Sequence, residues 1–130
     1  MCSARALRNP QEAFRRVDFD ARIEGAVAAQ LVALCFEQAE AAMAGAAFAD
    51  DAGNNHAKSK AMTKALAAIA ALQLGVSGEG SVAAALRQFY GAARRALLDC
   101  ALNFDPATVQ AVRSDLHDFA GALVGSKTDS

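Results

Sequence analysis

The chain has 130 residues, with 13 Lys and Arg against 14 Asp and Glu and a formal net charge of −1. This near-balance lacks the basic excess that nucleic-acid binding draws on, so no nucleic-acid partner is expected. The length fits one domain spanning 1–130, able to bury about two-thirds of its unfolded surface without a disulfide or metal.

Hydrophobic residues make up 54% of the chain. Roughly a quarter of all residues are Ala, a strong helix former that fills little core volume. The cysteines, Cys2, Cys35 and Cys100, are odd in number and widely spaced, which is not the pattern of a disulfide framework. Cys35 and Cys100 lie in apolar runs, where a free thiol behaves as a small hydrophobe. A reducing, cytoplasmic location is therefore expected.

Residues 1–12 have little periodicity and are expected to be mobile. Pro10 opens a short helical turn over Gln11–Arg16, and Val17-Asp18-Phe19-Asp20 reads as a bend with an Asp as cap. The first long helix is expected from Ala21 to Ala47. Ile23, Val27, Leu31 and Leu34 recur at core-facing spacing, while Val32, Cys35 and Phe36 point elsewhere. Its apolar run, Gly25–Phe36, is about 12 residues against the 20 or so that a membrane crossing takes, so no insertion is expected. Ala49–Asn55, with two Asp, a Gly and two Asn, reads as a loop.

A second long helix is expected from His56 to Leu74, with an apolar stripe of Met62, Leu66, Ile69 and Leu72. Gly75 is placed as its cap, and Gly75–Gly80 as a Gly-rich connection. A third, Ser81–Phe104, carries Val82, Leu86, Phe89, Ala93, Leu97, Cys100 and Phe104 on one face. Asp105 caps the last helix and Pro106 takes its first position. Val109, Val112, Leu116, Phe119 and Leu123 then alternate by three and four, as a bundle seam does. Residues 125–130 form a polar, mobile end. The fold expected is all-α: an antiparallel up-down four-helix bundle with a short extra N-terminal helix.

The first long helix is apolar on more than one face, and this has two readings. It is the central helix of the bundle, or it lines a shallow Ala-rich groove open to an amphipathic helix of a partner. Self-association through that surface is a third possibility. Little points to chemistry. The two histidines, His56 and His117, form no metal-ligand spacing with each other or with the cysteines, so no metal or cofactor is expected. Gly75–Gly80 lacks the Lys-Ser/Thr of a phosphate loop. His56-Ala57-Lys58-Ser59 bears a loose likeness to the phosphorylated histidine of phosphotransfer bundles, an alternative signalling function. No catalytic residue stands out, and the chain reads as a binding protein, not an enzyme.

The order of four short motifs resembles the flagellar export chaperone family FliS. These are Ala13-Phe14-Arg15-Arg16-Val17; Phe36-Glu37-Gln38-Ala39 followed by Ala42-Met43; Lys64-Ala65 with Ile69 and Leu72; and Leu86 with Phe89-Tyr90, Arg95, Leu97 and Ala101-Leu102-Asn103. Three departures make it a divergent member, one of them a loop at Ala49–Asn55 longer than the family's. An Ala-rich stretch near Ala28–Leu31 replaces the family's Leu-Tyr-Asp-Gly, and no Trp is present. The resemblance implies a cytoplasmic chaperone. It would bind the disordered C-terminal segment of flagellin in apolar grooves, prevent premature polymerisation and deliver the segment to the flagellar export gate. The contact residues expected, from the family motifs and from apolar positions off the core period, are Phe14, Val32, Phe36, Leu66, Ile69, Leu86, Tyr90 and Leu98.

Overall fold

The computed structural model describes the backbone of residues 10–128 and the side chains of residues 29–122. Four helices follow one another: α1 (Pro10–Asp51), α2 (Asn55–Leu74), α3 (Ser81–Leu102) and α4 (Pro106–Thr128). No strand occurs among the described residues. The chain divides into two compact units, Met1–Leu31 and Val32–Ser130. The bundle described below belongs to the second.

The separate N-terminal helix is not present as such. The backbone runs as one 42-residue helix from Pro10 to Asp51, with no bend at Val17–Asp20. Pro10 stands at the first position, where a missing N–H costs nothing. Neither Pro nor Gly follows before Gly25. Val, Asp and Phe each disfavour a helix by only about half a kcal/mol, too little to break one without such a residue. The C-terminal end is also longer than expected. The loop at Ala49–Asn55 shrinks to Ala52–Asn54, and Gly53 reverses the chain at φ +71°, a conformation costly to other residues.

Asn54 then caps α2, its side chain accepting from the Ala57 N–H at 3.0 Å. Asp105 caps α4 as expected. Its carboxylate accepts from the Ala107 N–H at 3.2 Å and from the Thr108 hydroxyl at 2.7 Å. Gly75 does follow α2, but at φ −77° it stays right-handed, so its glycine freedom is not what ends the helix.

The pairings show the antiparallel order. Gly45 lies against Ala61, and Asp50 reaches Lys58 at 2.9 Å, so α1 and α2 run in opposite senses. Phe89 stacks on Phe119, while Cys100 lies close to the α3–α4 connection at Asp105. Each helix supplies a stripe to one core. Phe36, Ala39, Met43 and Ala46 come from α1, and Met62, Ala65, Ile69 and Leu72 from α2. Tyr90, Ala93, Leu97 and Cys100 come from α3, and Val109, Val112 and Leu116 from α4. Alanine at Ala39, Ala46, Ala65 and Ala93 lets neighbouring backbones approach closely, and large residues fill the gaps between.

The facing of α1 reverses the sequence expectation. Phe36 is buried, whereas Leu31 and Leu34, expected in the core, are exposed. Val82 on α3 is likewise exposed, and the neighbouring Ala83 and Tyr90 turn inward instead. On α1 both faces are apolar, so periodicity marks a stripe without telling which stripe is covered.

The apolar stretch of α1 is also longer than Gly25–Phe36. Ala29–Asp51, 23 residues that include an 18-residue window of mean hydropathy 1.3, is long and apolar enough to cross a membrane. Much of that hydropathy is alanine. The stretch also carries Glu37, Glu40, Asp50 and Asp51, and one face of it supplies Phe36, Ala39, Met43 and Ala46 to the core.

Candidate docking groove

A groove of about 410 Å³ opens beside the α2–α3 connection. Val32 of α1, Leu72 at the end of α2, Val76 in the connection, and Val82, Leu86 and Tyr90 of α3 form its apolar wall. The connection stands where it does because Gly78 and Gly80 take φ of +83° and +133°, which side chains with a Cβ rarely adopt. Arg87 then fastens it, donating from Nη2 to the Gly78 carbonyl at 2.8 Å. Val82 is 69% exposed on the first turn of α3, so the mouth of the groove presents apolar surface to solvent. Glu79 and Ser77 add polar groups at the rim.

The floor is rigid. Tyr90 sits among Phe36, Phe89 and Phe119, with ring centroids 6.2, 5.8 and 6.3 Å from its own, in tilted and edge-on contacts. Phe89 and Phe119 stack at 4.3 Å. Such pairs favour these geometries beyond the area they bury. Burial, with a smaller push from Cys35, holds the Tyr90 hydroxyl above its ordinary pKa. Tyr90 therefore stays a neutral, amphipathic group in the groove wall at physiological pH.

Of the residues expected to make contacts, Val32, Leu86 and Tyr90 come together here. Phe36 and Ile69 lie in the bundle interior, and Phe36 touches the groove only through its contact with Tyr90. Leu66 is half-buried against the core, and Leu98 stands exposed on α3. Phe14 lies outside the residues whose side chains are described. Sequence reasoning missed Val76 and the groove role of Val82 and Leu72. The available signal was an apolar Val between two glycines, followed within one turn of the next helix by another Val.

The groove wall is mostly apolar carbon, with polar groups of Ser77 and Glu79 beside it. That suits binding an apolar side chain in a defined pose. Among the described residues no group of three or more His, Cys, Asp or Glu is placed to hold a metal. His56 is exposed on the first turn of α2. His117 is on the wet side of α4, its Nδ1 3.0 Å from Glu40 Oε1.

The family model described as flagellar protein FliS matches residues 10–124. No curated protein matches the chain.

Proposed function

From the chain's place in the FliS family of flagellar proteins, to which it belongs, we propose that it is a cytoplasmic export chaperone. Its client is the disordered C-terminal segment of flagellin. The segment folds into helices on the bundle, which keeps flagellin from polymerising before export and presents it to the flagellar export gate. The observation that carries this reading is the open apolar groove between Val32, Val82, Leu86 and Tyr90, within the span that the family match covers.

The physics agrees with such a client. A segment that folds on binding loses conformational entropy, so its affinity depends on large apolar anchors placed in rigid seats. The aromatic floor around Tyr90 is such a seat. Its rigidity comes from the core side, so the seat need not rearrange when filled. Binding and release of such a client call for no covalent step.

Titration calorimetry against the C-terminal segment of flagellin from the same organism tests the proposal. One-to-one binding with a negative heat-capacity change and a gain of helix is expected. Val82→Glu places a charge at the mouth without touching the core, and should weaken that binding by about ten-fold or more. His56→Gln should leave it unchanged. A folded protein that ignores the segment, or one whose Val82→Glu form binds it equally well, would refute the assignment.

A further inference from the structure

The outward face of α1 carries a second, largely apolar row that the bundle does not use. Leu34, Gln38, Ala41, Gly45 and Phe48 are spaced four, three, four and three residues apart. This is the repeat of a helix–helix seam. At about 100° per residue the row lies opposite the buried Phe36, Ala39, Met43 and Ala46. Leu34 is 49% exposed and Phe48 is 78% exposed. Together with α2 the row makes a groove of about 520 Å³, with Ala41, Ala42, Gly45, Ala57 and Ala61 along it. Glu37 stands on the α1 rim, and Lys60 and Lys64, one helical turn apart, stand on the α2 rim. Lys58 is already engaged, by Asp50 at 2.9 Å and by the Phe104 ring at 4.9 Å. Among the described residues neither Lys60 nor Lys64 pairs with a carboxylate.

We propose that this seam seats an amphipathic helix of a second protein, with bulky apolar residues at its centre and an acidic edge facing Lys60 and Lys64. The shape dictates the first property. Large residues at the ends of the row and small ones at Ala41 and Gly45 leave a central hollow, which only a partner with a large central side chain fills. The charge dictates the second.

A second copy of the chain fits poorly in either direction. In an antiparallel pair about a two-fold axis, both copies' α2 helices lie on the same side of the seam, and the lysines of one meet the lysines of the other. In a parallel pair, Leu34 meets Leu34 and Phe48 meets Phe48, which holds the helices apart and leaves voids at Ala41 and Gly45. The seam is also distinct from the flagellin groove. Val32 and Leu34 are two residues apart and so point to opposite sides of α1. The two sites share no lining residue, and the proposal stands whatever occupies the Tyr90 groove.

The test uses the full chain and two synthetic helical peptides of about five turns. One has leucines at the centre, alanines at the ends and glutamates along one edge. Its twin has lysines in place of the glutamates. Fluorescence anisotropy should show the acidic peptide binding and the basic twin not. The Lys60→Glu, Lys64→Glu double variant should lose the acidic peptide by about ten-fold or more and gain the basic twin. Gly45→Leu, at an exposed position where the added Cβ meets Ala61 Cβ only at ordinary contact, 3.9 Å, should fill the hollow and block the acidic peptide, with thermal melts confirming the fold of each variant. Equal binding of both peptides, binding of neither, or indifference to the lysine reversal overturns the proposal. So does a wild-type dimer that Gly45→Leu breaks, which would assign the seam to a second copy.

Discussion

The two faces of α1 are both largely apolar and meet opposite fates. The inner face, Phe36, Ala39, Met43 and Ala46, lies within the core, and Met43 is completely buried. The outer face, Leu34, Gln38, Ala41, Gly45 and Phe48, stands in solvent beside two lysines of α2. Both repeat by threes and fours. Being apolar at helical spacing marks a surface for packing, and the neighbouring helices decide whether the packing partner is the bundle itself or something outside it.

The sharpest way to break this comparison is to shorten one large side chain on each face. Met43→Ala on the inner face should cost about 2–5 kcal/mol, because the removed atoms leave a cavity that the tight Ala-rich surroundings close only in part. Chemical denaturation would measure it, and a loss under 1 kcal/mol would mean that the inner face is not the packed one. Gly45→Ala on the outer face should act in the opposite direction. The added Cβ meets only Ala61 Cβ, at 3.9 Å, and the backbone there is helical. A gain of about 0.5–1 kcal/mol is expected from helix propensity alone. Phe48→Ser, also outside, should change stability by less than about 0.5 kcal/mol despite the size of the side chain. A large loss there would show that the outer face is covered in the isolated protein.

Tyr90, packed on Phe36 at the inner face, sharpens the contrast through pH. It is the one tyrosine in a chain without tryptophan, so the phenolate absorbance belongs to it alone. Its folded pKa is raised, first by burial and then by Cys35. The folded state therefore holds the proton more tightly than the unfolded one. The stability this contributes is whole below the ordinary value of 10.0 and is lost as pH rises past it. The absorbance midpoint should lie above 10.0 in buffer and return to it in denaturant. Tyr90→Phe should remove this alkaline loss. A midpoint at the ordinary value in the folded protein would mean that the ring's polar end is fully solvated.

Much of the architecture was legible in the chain alone. Helix spacing in Val109, Val112 and Leu116, the Asp105-Pro106 start of α4 and the glycine cluster before Ser81 are local signals. Local sterics and hydrogen bonding read them the same way whatever surrounds them. Four helices and the family motifs followed from such signals. Val32 stood out as an apolar residue off the core stripe, whereas Leu86 and Tyr90 were singled out through the family motif that contains them.

What tertiary structure decided was direction. It turned Phe36 inward and Leu34 outward, carried α1 unbroken through Val17–Asp20, and brought Val76 and Val82 together across the Gly-rich connection. It also set Lys60 and Lys64 along a hollow floored by alanines of another helix. The reason is physical. Hydrophobic attraction has no direction of its own, so a helix with two apolar faces gains about equally by burying either. The choice belongs to the helices that pack against it, through their shapes and their charges.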